Sequence, residues 1–401
     1  MIQRLISSIA LALSIMFLCC SELDKPNRVE SGVSTWFTTF GGPKKDVPKL
    51  VTPSPDGGYT IIVIAGDPME SPRLQVVRLD ENGTVSRLIE FPTGYYVTSG
   101  ISMSDAGEYF MTNRVYTIDN PACHDTKVTK ISSTGELLWE GVIDHSCWEE
   151  LGPVLARPDG GCIITGSYAI TDSLGSYIGR GMFLSILDDA GHTVLDTTYL
   201  EATYLNLVDI VSIGRDRFVV VGNYRKEKQG GIDIVLLAFD CFGELLWMKT
   251  FGEEGSETVE RLSVTEGGLL VSGRPSYSDW SYFKIDFDGN LLWQRRAQYV
   301  PSTDTRSYSI RTSVVTRDEC LIAAGCVSIR EERNDTDFYF CKWDRSGKLA
   351  WAREKGGWKW DELRFVLEAS DGGYLFVGLT ESVGEGRTDI FVLKTDRDGK
   401  Y

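Results

Sequence analysis

The chain has 401 residues, of which 42 % are hydrophobic and 24 % are charged, a composition typical of a globular protein with a large core. Its formal net charge is −16, and the sequence contains no cluster of Lys and Arg of the kind that binds a phosphate backbone. These features argue against nucleic acid as a partner and indicate a well-solvated acidic surface.

The N-terminus has the pattern of an export signal. Arg4 precedes the uncharged run Leu5–Leu18, which is too short to cross a bilayer comfortably and is typical of a secretory h-region. The pair Cys19-Cys20 follows, where a bacterial lipoprotein is cleaved and acylated, although the residues before Cys20 match a lipobox only loosely. We expect lipid on Cys20; ordinary signal cleavage and an uncleaved anchor are the alternatives.

A polar segment separates this signal from the rest of the chain. We divide the sequence into an export signal (1–20), a linker (21–33) that contains Pro26 and Gly32, and one folded domain (34–401). The expected location is outside the cytoplasm of a bacterium, in the periplasm or at the cell surface, with the lipid as the only membrane attachment.

The domain consists of repeats marked by a turn glycine, usually in D-x-x-G. This glycine recurs at intervals of 46 to 58 residues, at Gly83, Gly135, Gly191, Gly243, Gly289, Gly347 and Gly399. In four units a tryptophan follows four residues later, at Trp139, Trp247, Trp293 and Trp351. Periods near 50 residues are typical of propellers and solenoids.

Each unit also contains an apolar run that ends in glycine or, once, in asparagine. These end positions are Gly66, Asn113, Gly166, Gly222, Gly273, Gly325 and Gly378. Strands that are apolar at consecutive positions are buried on both faces, as expected for a sheet between two neighbouring blades. The turn signals divide each unit into four strands and predict an all-β protein.

The first strand lacks a unit of its own. The segment Thr35–Gly42, TWFTTFGG, has the Trp-to-Gly spacing of five residues that closes the unit around Trp247, whereas the seventh unit stops at Tyr401 before its last strand. We therefore predict a seven-bladed β-propeller of four-stranded blades, closed into a ring when the N-terminal strand completes the last blade. An open β-solenoid is the alternative.

The phrase k-x-D-x-x-G-x-l-x-W, preceded by DGG-Y-x-x-x-G, resembles the repeats of secreted bacterial β-propeller proteins and the blades of quinoprotein-like propellers. The resemblance covers Thr35 to Tyr401 and implies a fold, not an activity. Quinoprotein dehydrogenases bind pyrroloquinoline quinone on eight blades, typically beside a disulfide between adjacent cysteines. This chain has seven units, and its adjacent cysteines lie in the export signal, so we expect no cofactor.

Loops that enter the inner strands are rich in aromatic residues and carboxylates. The expected ligand-binding residues on this loop face are Tyr96, Trp148, Glu149, Tyr204, Glu257, Tyr308, Trp358, Trp360 and Asp361, with Asp46 at an equivalent carboxylate position. Flat rings beside carboxylate acceptors suit a glycan or a protein surface. The alternative is that the rings are wedges between blades and that the acids bond loop amides.

The cysteines and histidines indicate a disulfide rather than a metal. Because the chain is expected to be exported, Cys123 and Cys147 are expected to form a disulfide. A zinc site with His124 and His145 is disfavoured, since adjacent Cys123 and His124 do not have the usual ligand spacing, and we expect no metal. Cys320 and Cys341 are either a cross-strand bridge or small apolar residues.

No nucleophile–base pair and no G-x-S-x-G motif is present in the sequence. The expected function is a non-catalytic, monomeric binding or scaffolding module of the bacterial cell envelope, with a glycan or a protein as ligand. The alternative is a carbohydrate-active hydrolase or lyase that uses the acid pair Glu149-Glu150 or Asp361-Glu362.

Overall fold

The computed structural model describes residues 33–54, 57–66, 73–91, 100–116, 124–145, 148–227, 230–252, 255–275, 281–297, 306–329, 336–384 and 386–401. These residues form 28 strands in seven four-stranded antiparallel sheets. The prediction of an all-β, seven-bladed propeller is therefore confirmed. Among the described residues, no helix is long and apolar enough to cross a membrane.

The blades follow one another along the chain, and each runs from an inner to an outer strand. Blade 1 contains β2 (Asp46–Pro53), β3 (Tyr59–Ala65), β4 (Arg73–Leu79) and β5 (Val85–Glu90); blade 2 contains β6 (Gly100–Met103), β7 (Tyr109–Tyr116), β8 (His124–Ile131) and β9 (Leu137–Ile143); blade 3 contains β10 (Glu150–Ala156), β11 (Cys162–Thr171), β12 (Tyr177–Leu187) and β13 (Thr193–Ala202). Blade 4 contains β14 (Tyr204–Ile213), β15 (Arg217–Arg225), β16 (Asp233–Asp240) and β17 (Leu245–Phe251); blade 5 contains β18 (Glu257–Thr265), β19 (Gly268–Pro275), β20 (Ser281–Ile285) and β21 (Leu291–Arg296). Blade 6 contains β22 (Arg306–Val315), β23 (Leu321–Ile329), β24 (Thr336–Trp343) and β25 (Leu349–Lys355); blade 7 contains β26 (Asp361–Glu368), β27 (Tyr374–Thr380), β28 (Asp389–Thr395) and the N-terminal β1 (Trp36–Phe40).

The N-terminal strand closes the ring as the sequence predicts. Strand β1 pairs antiparallel with β28, from Trp36 opposite Lys394 to Phe40 opposite Ile390. The last blade is thus complete only when both ends of the domain meet, and β1 covers the edge that β28 would otherwise present.

Three tryptophans of the outer strands connect their blade to the turn of the next one. The indole nitrogen of Trp139 donates to Asp189 O at 2.8 Å, and that of Trp247 donates to Phe287 O at 3.1 Å. Trp36 on β1 makes the same bond to Glu81 O at 2.9 Å in blade 1. The orphan strand therefore provides the contact that the seventh unit lacks.

The D-x-x-G turns have the expected local chemistry. In the turn of blade 1, Asp80 Oδ1 accepts hydrogen bonds from the amides of Asn82 and Thr84 at 2.9 and 2.8 Å, and Gly83 has a φ of 81°. A side chain on Gly83 would also collide with the ring of Trp36. Glycine is thus required both by the left-handed backbone and by the neighbouring blade.

Middle strands supply the core, which is shared between blades. Strands β27 and β28 are buried at every position, as the consecutive apolar residues predict. Where the apolar pattern admits a lysine, its charge is paired: Lys394 is buried and its Nζ lies 2.8 and 2.9 Å from the two carboxylate oxygens of Asp371. This pair ties β28 to the turn between β26 and β27.

A β-bulge occurs in six of the inner strands among the described residues, at the same position in each blade. It lies opposite the residue that ends the apolar run, for example Gly222 in blade 4. A Cβ on Gly222 would lie 2.7 Å from Asn206 O, so the bulged backbone explains why glycine recurs there. In blade 1 the residue opposite the bulge is Val63. Gly66, which the sequence analysis gave as the end of the apolar run in this unit, lies three residues further along the chain and is not opposite the bulge.

Candidate functional site

The carboxylates at the start of the inner strands are buried. Asp46, Glu149 and Asp361 are 2, 0 and 0 % exposed, and Glu257 at the equivalent position of blade 5 is also buried. The first three each accept a hydrogen bond from the backbone amide four residues earlier, at 2.6, 2.5 and 3.1 Å. Burial raises the pKa of all three, to about 6 for Asp46. They bond loop amides, as the alternative interpretation expects, and their contact with a ligand stays a prediction.

The second members of the two adjacent acid pairs, Glu150 and Glu362, form ion pairs with arginines. Glu150 lies 3.1 Å from the guanidinium of Arg180. Glu362 is 2 % exposed and lies 2.5 Å from Arg311 Nε and 3.2 Å from a terminal nitrogen of Arg364. The pairs belong to blades 3 and 7, which are not neighbours in the ring. The geometry therefore brings no two of these acids together as free carboxylates across one cleft.

Two of the predicted tryptophans lie in solvent. Trp358, in the loop between β25 and β26, is 91 % exposed, and Trp148, between β9 and β10, is 45 % exposed. Trp148 also has a φ of 67°, a backbone region that non-glycine residues rarely occupy. Neither ring is a wedge buried between blades. Tyr96 lies outside the described residues.

Two of the predicted tyrosines pack against neighbouring side chains. The Tyr204 ring lies 6.0 Å from the guanidinium carbon of Arg225. The Tyr308 ring lies 4.6 Å from that of Tyr339, and its hydroxyl donates to Glu354 at 3.3 Å. Tyr308 also packs against the buried cluster that blades 5 and 6 share, as the alternative interpretation expects, and its contact with a ligand stays a prediction.

Trp360 lines an open cavity on the loop face, at the junction of blades 6, 7 and 1. The cavity has a volume of about 480 Å³ and is lined by Lys45, Val47, Pro48, Lys49, Arg311, Trp360, Arg364, Phe365 and Leu379. Four of these nine residues are cations and none is an acid, in a chain whose net charge is −16. We call these nine residues the axial cavity.

Three of its cations are bulge residues of the inner strands. The register skips Lys49 in β2, Arg311 in β22 and Arg364 in β26, so that each is the extra residue of its strand. Sequence reasoning missed these cations. The sequence does contain a pattern that could have identified two of them. Lys49 and Arg364 each stand three residues after a carboxylate at the start of an inner strand, Asp46 and Asp361.

Charges in the axial cavity influence one another. Burial and the neighbouring guanidinium of Arg364 lower the pKa of Lys49. The carboxylate of Glu362 neutralises part of the positive charge, since it contacts both Arg311 and Arg364 while its side chain is 2 % exposed. The site can thus supply ammonium and guanidinium donors beside an indole ring.

A second cluster of charged groups lies between blades 2 and 3. One carboxylate oxygen from each of Asp125, Asp144 and Glu149 lies within 4.8 Å of the others. Asp144 stands five residues before Glu149, where other blades have a glycine such as Gly41 before Asp46. Burial and the charge of Asp144 raise the pKa of Asp125. Clustered acids are common on acidic surfaces, and the expectation of no metal stays a prediction.

Both histidines of the disfavoured zinc set lie within the described residues: His124 begins strand β8, and His145 is held by packing. The His145 ring stacks on Phe183 at 4.4 Å, and its Nε2 lies 3.2 Å from Asp196. Cys123 and Cys147 lie outside the described residues, so their disulfide stays a prediction.

Cys320 and Cys341 are both free thiols. The register places Cys341 opposite Ala323, and Cys320 precedes β23, so the cross-strand bridge considered from the sequence is wrong. Both side chains are buried, and they act as small apolar residues.

Comparison with known proteins supports the propeller fold and identifies no function. No family model and no curated protein matches the sequence. Solved structures do match: an ulvan lyase of polysaccharide lyase family PL25, bound to -[GlcA(1-4)Rha3S]-, has a TM-score of 0.51 at 10 % identity and covers 90 % of this chain and 97 % of its own. Prolyl oligopeptidase B from Galerina marginata has a TM-score of 0.51 at 8 % identity and covers 89 % of this chain but 52 % of its own. The Dos1 propeller has a TM-score of 0.49 at 12 % identity over 92 % of this chain and 97 % of its own. At such identities the likeness shows a shared propeller fold and does not indicate an activity.

Proposed function

We propose that this chain is a non-catalytic binding module of the bacterial cell envelope, attached to a membrane through lipid on Cys20 and related to secreted, quinoprotein-like propeller repeat proteins. Its ligand, a glycan or a protein, contacts the loop face at the axial cavity. The export signal and the C-terminal cysteine of that signal support the location. The loop-face rings and the open cavity support the binding role.

One observation carries the choice of binding over catalysis. The acids that the sequence offers as a catalytic pair are held in structural bonds, whereas Trp360 and the cations beside it line an open cavity. A glycosidase needs two carboxyl groups on either side of the scissile bond, at a separation of about 5–10 Å. Exposed rings beside polar donors suit the faces and hydroxyl groups of a sugar.

The test is a glycan array probed with the full chain in detergent, followed by titration of any glycan that binds. Trp360→Ala should weaken binding by about tenfold or more, and Trp358→Ala should weaken it if the ligand extends along the loop face. Phe242→Ala is the matched control, because Phe242 is 77 % exposed but lies in the turn between β16 and β17, on the opposite face.

The same incubations separate the alternative. A hydrolase or lyase would release shorter products from a bound polysaccharide, which mass spectrometry detects. Product formation that requires Glu362 or Asp361 would overturn the proposal of a non-catalytic module. Binding without products, lost in Trp360→Ala and kept in Phe242→Ala, would support it.

A further inference from the structure

The axial cavity collects positive charge from distant parts of the sequence. Lys49, Arg311 and Arg364 come from blades 1, 6 and 7, which are consecutive in the closed ring. Each is the extra residue of a β-bulge, a feature that re-aims a side chain and often occurs next to binding sites. Lys45, just before β2, adds a fourth cation.

This charge is only partly balanced within the described residues. The lining holds four cations and no acid, and Glu362, which lies outside the lining, contacts two of them, Arg311 and Arg364. The pKa of Lys49 is lowered first by burial and then by the charge of Arg364, so these two cations repel each other. An anion in the cavity would remove the repulsion.

The shape and lining of the cavity restrict the kind of anion. Its volume, about 480 Å³, lies within the range of about 300–1,000 Å³ found for small-molecule sites. Trp360 and Phe365, which pack partly against the buried cluster of blades 7 and 1, also line the cavity beside the cations, and aromatic rings next to cations suit a sugar ring carrying an acidic group. Guanidinium groups bind planar or tetrahedral oxyanions through paired N–H donors.

We propose that the axial cavity binds an acidic saccharide, with its carboxylate or sulfate group between Lys49, Arg311 and Arg364 and its ring against Trp360. The inference rests on the proposed function and names the ligand class of that same site. Glu362 is a positioning residue that orients the two guanidinium groups from behind. We expect no nucleic acid as the ligand, because the chain as a whole is acidic and would repel a long phosphate backbone.

The test uses matched charged and neutral probes and isothermal titration calorimetry with the full chain. The pairs are dextran sulfate oligomers against dextran oligomers of the same length, and oligogalacturonate against its methyl ester, which distinguish sulfate from carboxylate. At least one acidic probe should bind about tenfold or more tightly than its neutral partner. Lys49→Gln, Arg311→Gln and Arg364→Gln should each weaken the acidic probe by about tenfold and leave a neutral probe unchanged.

Controls separate charge from folding. Arg87→Gln removes the same charge from the exposed outer strand β5 and should leave all binding unchanged. Near-UV circular dichroism verifies the fold of each variant. If Arg311→Gln does not fold because Glu362 loses a partner, Lys49→Gln still tests the site, since the Glu362 ion pairs are with Arg311 and Arg364.

The outcomes distinguish this inference from the proposed function. Equal affinity for acidic and neutral probes, unaffected by Lys49→Gln, would overturn the acidic ligand and leave the binding module standing. Binding of polyglutamate but of no saccharide would overturn the saccharide. If no probe and no array glycan binds, the acidic saccharide is wrong, and so is a glycan as the ligand of the proposed binding module.

Discussion

Replacing Trp36 with alanine tests whether the two ends of the domain hold the ring closed. The Trp36 side chain is 4 % exposed, lies 6.2 Å from the Tyr59 ring and donates its indole N–H to Glu81 O at 2.9 Å. It is part of the buried cluster between blades 7 and 1. Removing a buried tryptophan typically costs about 3–5 kcal/mol, because the transfer free energy of the ring is lost and a cavity remains. Trp36→Phe keeps most of the ring and should lose about 1 kcal/mol for the hydrogen bond, with a further cost for the smaller ring.

The assay is equilibrium urea unfolding of the purified full chain, followed by fluorescence and circular dichroism. Trp358→Ala is the matched control, since Trp358 is 91 % exposed and its loss should change the free energy of unfolding by less than about 0.5 kcal/mol. Trp247 makes the equivalent hydrogen bond between blades 4 and 5 but is only partly buried, so Trp247→Ala should cost less than Trp36→Ala. If Trp36→Ala instead behaves like Trp358→Ala, strand β1 does not close the ring in solution.

Three further substitutions test other elements of the structure by the same unfolding assay. Gly378→Ala should destabilise the chain by about 1–3 kcal/mol, because the new methyl group collides with the carbonyl oxygen of Glu362 in the bulge of β26; an unchanged midpoint would refute the steric argument. Lys394→Met should cost about 1–3 kcal/mol at neutral pH, since it removes a buried ammonium that bonds both oxygens of Asp371, and wild-type stability in this variant would show that the pair contributes nothing net. Asp46→Asn tests the pH dependence of stability, because the pKa of Asp46 is about 6 in the folded chain and 3.8 in the unfolded chain. The folded chain therefore keeps this proton to higher pH, and the stability of the wild type should fall relative to the variant by up to about 3 kcal/mol as pH rises from 4 to 7. Parallel pH profiles of wild type and variant would contradict this.

The recurring glycines and tryptophans of the repeats predict the fold because each of them has a local physical cause. The glycine of each D-x-x-G turn is required by a left-handed backbone, and at Gly83 also by the tryptophan of the preceding blade. The glycine that ends the apolar run is required by the bulge of the inner strand, as at Gly222. The missing last strand and the orphan segment around Trp36 share a spacing, so the ring closure is also readable from the sequence. Such constraints act within one unit or between neighbours.

The candidate site is less predictable, because its residues meet only after the ring closes. Lys49 belongs to the first unit and Arg364 to the last, more than 300 positions apart, and β1 joins the two blades. The hydrogen-bonding role of Asp361 also could not be predicted from its residue type. A carboxylate beside aromatic residues suggests a ligand contact, whereas this one is 0 % exposed and accepts hydrogen bonds from Thr380, Ser382 and the preceding loop.

The bulges explain where the cations lie but not why they are cations. The fold requires an extra residue at this position of each bulged inner strand, and it accepts Val208 in blade 4 and Glu260 in blade 5 as readily as Lys49, Arg311 and Arg364. Packing therefore does not demand a positive charge there. Three consecutive blades nevertheless place cations on one cavity. A shared charge that packing does not require supports a ligand of opposite charge there, so replacement of Lys49 by the neutral glutamine is the most direct test of the acidic ligand in this propeller.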